Sequence, residues 1–97
     1  MSDYTGWVVR ATAGRDKDGL FCVVGVDRER NLLLLADGKR RKAARPKGKK
    51  LGHVEPLTGE AREFDHPAIQ KLKQGEPVSD RELRRALAAF KEGITLG

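Results

Sequence analysis

The chain contains a single cysteine, Cys22. No disulfide can form within it, so a crosslinked secreted scaffold is excluded and Cys22, in an apolar stretch, reads as a small core residue. No apolar run approaches the roughly 20 residues needed to cross a bilayer, so no membrane partner is expected. Residues 1–5 are polar and carry no signal-peptide pattern, which makes a cytoplasmic location the expectation. His53 and His66 have no partners at metal-ligand spacing, so no metal and no cofactor are expected. Phosphate loop, nucleophile elbow and oriented cysteine–histidine pair are all missing. Asp16, Asp18 and Asp27 read as loop acids with no apolar setting to shift them. The chain is therefore expected not to be an enzyme. Aromatic residues are few: Tyr4, Trp7, Phe21, Phe64 and Phe90. Trp7, Phe21 and Phe90 read as packing residues. Proteins that read single-stranded nucleic acid stack bases on aromatic platforms, and that mode is disfavoured here.

One segment lacks acid altogether. "GKRRKAARPKGKK", residues 38–50, holds eight cations: Lys39, Arg40, Arg41, Lys42, Arg45, Lys47, Lys49 and Lys50. The rest of the chain has twelve basic residues against fourteen acids. A slightly acidic body thus carries one strongly basic segment. One or two lysines suffice to protect an edge strand from aggregation. Eight cost self-repulsion and call for a polyanionic partner. Each cation that replaces a condensed counterion on a phosphate chain gains release entropy, so affinity falls with salt. About five phosphate contacts give an expected salt slope of about −3.5 to −4.5. Fully extended, the twelve residues from Lys39 span roughly 40 Å, a path along a groove.

Ninety-seven residues suit one domain. "GWVVRAT" and "LFCVVGV" read as strands around the loop "AGRDKDG". "LLLLA" (32–36) reads as a third strand. It is apolar on both faces, so both need cover, one from a barrel interior and one from a docked helix. Asp37-Gly38 predicts a two-residue type I′ turn, after which Lys39–Ala44 begins a fourth, cationic strand projecting into solvent at a sheet edge. Leu51–Leu57 supplies a last short strand. A short helix is expected from Asp65 as N-cap to near Gly75. A second starts at a Ser79/Glu82 capping box, carries the stripe Leu83, Leu87, Phe90, and ends at Gly93. Arg81, Arg84 and Arg85 lie off that stripe and read as a solvated ridge. The expected fold is mainly β: a small SH3-like barrel over residues 1–57, including the basic segment 39–50, with two short C-terminal α-helices over 58–97 packed on it.

The order Gly6, Val8, Gly14, Lys17, Gly19 followed by an apolar strand resembles the KOW motif. Together with "ADGKRRKAARPKGKKL", residues 5–55 are similar to bacterial KOW-domain RNA-binding proteins, which resemble the fourteenth large-subunit ribosomal protein of archaea and eukaryotes. The resemblance implies a KOW domain that binds structured RNA, ribosomal RNA first among candidates, with the ribosome itself as a partner. It carries the motif onto Gly6, Gly14, Asp16 and Gly19. The expected RNA-binding residues are Arg15, Lys17 and the eight cations from Lys39 to Lys50, in a monomer. Asp18 departs from the pattern, where a basic residue is more usual. The alternative is a protein–protein adaptor of the transcription or translation machinery that uses the barrel and the helices. Exposure of Leu83, Leu87 and Phe90 in the monomer would favour it.

Overall fold

The computed structural model describes residues 4–59 and 62–96. Residues 1–3, 60–61 and 97, at the outer ends of the two expected segments and near the start of the second, lie outside the described residues. Five strands appear in chain order: β1 (Val8–Ala11), β2 (Leu20–Asp27), β3 (Leu32–Ala36), β4 (Lys47–Lys49) and β5 (Val54–Pro56). They form one antiparallel sheet in the order β4-β3-β2-β1-β5. β4 and β5 are its edges, joined by a single 3-10 turn at Leu51–His53. The last strand is thus shorter than expected. Val54 is buried in it, while Leu51 stays 43% exposed.

Strand alternation divides the core in two. Val8, Cys22 and Ala36 lie on one face with the helices. Val9, Phe21, Val23, Leu33 and Leu35 lie on the other, with Ala11 and Val54. β2 and β3 slip register between Val23 and Gly25. The extra residue there is a bulge, which bends the strand and strengthens its twist. On β3, Leu33 and Leu35 are buried on one face and Ala36 is buried with the helices on the other, while Leu32 and Leu34 are only half-buried, so the cover expected for the second face of its apolar run is partial.

Helix α1 spans Pro67–Lys73 and helix α2 Asp80–Leu96. The N-cap of α1 is His66, not Asp65. Pro67 takes the first helical position, which makes the residue before it the cap, and His66 Nδ1 accepts the Ala68 N–H at 3.1 Å. The Asp65 carboxylate instead accepts from the Gln70 side-chain amide. At α2 the capping box forms as expected: Ser79 Oγ accepts the Glu82 N–H at 3.1 Å, and the Glu82 carboxylate accepts the Ser79 N–H at 3.2 Å. Helix α2 continues past Gly93 and is not short, because a helical glycine costs only about 1 kcal/mol relative to alanine and does not stop a helix alone. Leu83, Leu87 and Phe90 are all buried against Val8, Cys22, Ile69 and Leu72. Lys71 and Glu82 pair at 2.8 Å and tie the two helices together.

The fourth strand departs most from expectation. Asp37 does not take the left-handed conformation a type I′ turn needs, although Gly38 does (φ 79°). Residues 37–46 form a loop, and pairing with β3 begins only at Lys47, in the register Leu35↔Lys47, Leu34↔Gly48, Leu33↔Lys49. In the structure Lys47 and Lys49, opposite Leu35 and Leu33, take the place along β3 that an immediate hairpin would give to Lys39–Lys42. The loop removes those cations from the sheet. No helix among the described residues is long and apolar enough to cross a membrane.

Candidate nucleic-acid interface

The basic segment is not a trailing extended arm. The molecule's longest extent is 37 Å, shorter than the roughly 40 Å that the segment alone would span if stretched. Residues 37–46 are folded back on themselves instead. The Arg41 carbonyl accepts from the N–H groups of Asp37 (2.9 Å) and Gly38 (3.1 Å). Asp37 Oδ1 accepts from the N–H groups of Lys39 and Arg41, each at 2.9 Å. A short side-chain acceptor that competes for local backbone donors is what makes aspartate a loop former.

Two further sets of contacts hold this loop. From α2, Asp80 Oδ1 accepts the Ala43 N–H at 2.7 Å, and Arg84 Nη1 donates to the Gly38 carbonyl at 2.7 Å. The approach is so close that a Cβ on Gly38 would stand 2.2 Å from the Asp80 carbonyl oxygen. From the first loop, Asp16 Oδ2 accepts Arg41 Nη2 at 2.9 Å and Nε at 3.2 Å. Lys49 Nζ donates to the Ala13 carbonyl at 2.6 Å. Gly14 makes that contact possible: its φ is 80°, and a Cβ there would lie 2.8 Å from Lys49 Nζ.

The eight cations therefore divide. Arg41 and Lys49 are spent inside the molecule, Lys49 being buried and Arg41 partly so. This corrects the expectation that all eight project outward. A buried ammonium is tolerable because a carbonyl receives it and its stem lies on the apolar face of the sheet beside Leu33. The other six, Lys39, Arg40, Lys42, Arg45, Lys47 and Lys50, are exposed. None of the six forms an ion pair among the described residues. Arg15 and Lys17 are exposed as well. They ride on the loop that Asp16 and the Ala13 carbonyl stitch to the basic segment.

The motif residues serve this framework. The Gly6 N–H donates to the Val23 carbonyl at 2.8 Å, just before β1. Asp18, the departure from the motif, takes the left-handed conformation (φ 72°) and donates its N–H to the Ala11 carbonyl at 2.7 Å. The Gly19 N–H donates to the Asp16 carbonyl at 2.9 Å, closing the loop before β2.

Asp16 overturns its reading as an unshifted loop acid. It is buried. Burial pushes its carboxyl up, but the hydrogen bond and charge of Arg41, with the charges of Lys49 and Arg40, outweigh burial and hold it below the usual carboxylate value. Cys22 behaves as expected: burial first, then the charge of Asp37, pushes its thiol up to about 12, leaving an inert core group. Sequence reasoning also missed Asp80 as a brace and read Arg84 only as part of a solvated ridge. Arg81, Arg84 and Arg85 are all exposed as expected, Arg84 reaching the Gly38 carbonyl with its guanidinium. A cleft of about 280 Å³ beside Arg84 is lined by Lys39 and Lys91 above Leu20 and Leu87, so cations of α2 border those of the loop. No family model matches the chain, and no curated protein is significantly similar to it.

Proposed function

We propose that the protein is a non-catalytic module that binds structured RNA through the phosphate backbone, with Lys39, Arg40, Lys42, Arg45, Lys47 and Lys50 as the principal contacts and Arg15 and Lys17 beside them. The observation that carries this reading is the division of the basic segment. Six exposed cations, none in an ion pair among the described residues, stand on this segment: four on a loop pinned by Asp16, Asp80 and Arg84, with Lys47 in β4 and Lys50 just after it. A polyanion neutralises their mutual repulsion, and a loop already braced loses less entropy on binding. The scarcity of aromatic side chains favours folded RNA over a single strand. The resemblance to KOW-domain proteins points the same way, and the five-stranded antiparallel order with β5 beside β1 is compatible with the SH3-like barrel that it implies. By the same resemblance, ribosomal RNA is the first candidate and the cytoplasm the place of action. Exposure of the α2 stripe would have favoured the adaptor reading; Leu83, Leu87 and Phe90 are buried.

The test is anisotropy titration of a folded RNA hairpin with wild type and with a variant carrying Lys39→Ala, Arg40→Ala, Lys42→Ala and Arg45→Ala. At about 0.1 M salt the variant is expected to bind at least about tenfold more weakly. Equal affinities would contradict the proposal. Stronger competition by a DNA duplex of equal length would redirect it to DNA.

A further inference from the structure

The basic segment has a second side. Between its cations stand Ala43, Ala44 and Pro46, and these form one wall of a groove of about 620 Å³ whose other walls include Leu34, Leu72 and Val78. That size falls within the range of sites that hold small organic groups, about 300–1,000 Å³. The groove is mostly apolar, and its polar wall is acidic. Glu76 and Asp80 line it, Asp80 being held by the Ala43 N–H. Charge is therefore sorted across a few residues of loop. Lys42, Arg45 and Lys47 are exposed on the segment whose alanines and proline line the groove, while the groove itself carries carboxylates. A phosphate is attracted to the first and repelled by the second.

We infer that the groove takes one unpaired nucleobase of the bound RNA, extruded from its helix, while the flanking phosphates stay outside on Lys42, Arg45 and Lys47. The inference rests on the RNA-binding reading and deepens it. A base is the uncharged, flat, largely apolar part of a nucleotide, and its faces match walls of leucine, valine and proline. Extruded bases are held between apolar as well as aromatic side chains. A base already unpaired in a bulge costs the least to extrude, so the protein discriminates by RNA structure: a hairpin with a bulged nucleotide binds in preference to one with an unbroken stem.

Two hairpins that differ only by one bulged adenosine test this, titrated with wild type and with Ala44→Leu. Ala44 is an exposed loop residue that lines the groove, and leucine there adds bulk to the groove while replacing no cation. Wild type is expected to prefer the bulged hairpin at least about fivefold, a difference on the scale of about 1 kcal/mol. Ala44→Leu is expected to lose that preference while binding the unbroken hairpin as wild type does. With 2-aminopurine as the bulged base, wild type is expected to change its fluorescence on binding. Equal affinity of wild type for the two hairpins, or an unresponsive 2-aminopurine, would overturn the inference while leaving phosphate binding intact; a groove used instead by a protein side chain would give that result. Failure of both hairpins to bind in a salt-dependent way would instead refute the RNA-binding reading itself.

Discussion

Asp16 shows how one residue can decide what a charged segment is free to do. Its carboxylate is buried with Arg41 as partner and fixes the first loop against the basic one. The Arg41 side chain is 31% exposed, so the pair resembles a charge-assisted hydrogen bond more than a fully enclosed ion pair. Asp16→Asn is accordingly expected to cost about 2 kcal/mol at neutral pH, read from urea unfolding. The pH dependence has a definite sign. A carboxyl held low in the folded state gives stability that is fully present above its unfolded value of about 3.9, and loses it as pH falls through the folded value. The gap between wild type and Asp16→Asn is expected to be constant from about pH 5 to 7 and to close below about pH 4. A gap that stays open at low pH would show that Asp16 acts by shape and not by charge.

At the scale of elements, helix α2 does more than cover the sheet. Its buried stripe fixes its position, and its first turns then brace the loop through Asp80 and Arg84. Gly38 is where helix and loop come closest. Gly38→Ala adds a Cβ in a left-handed backbone against the Asp80 carbonyl, and is expected to cost at least about 2 kcal/mol in the same unfolding measurement. Gly52→Ala, with open space around it, is expected to be near neutral. Comparable losses at the two sites would remove the brace as an explanation. Much of this level could be read from sequence. The strand-like runs of β1 to β3, the capping box and the α2 stripe are local patterns that packing did not override. Asp37-Gly38 misled because its turn preference is local, whereas the loop that forms there is also held from Asp16, Asp80 and Arg84, far away in the chain. The partners of Asp16, Lys49, Asp80 and Arg84 were invisible for a related reason: each lies 25 or more residues away in the chain, and no spacing rule encodes such contacts. The cluster itself was legible, but which two of its eight cations turn inward was not.

For the whole molecule, the arrangement is a separation of charge. A body with slightly more acid than base holds six exposed cations on one segment, four on the braced loop and two at β4, with Arg15 and Lys17 on the loop stitched to it. The most direct measurement is the dependence of RNA affinity on salt. Its slope counts phosphates neutralised, at about 0.7 to 0.9 per contact. Wild type is expected to give a slope of about −3.5 to −4.5, and alanine at Lys39, Arg40, Lys42 and Arg45 is expected to reduce its magnitude by about 3. A slope near zero in wild type, or one that the four substitutions leave unchanged, would contradict the assignment of this loop as the phosphate-binding surface.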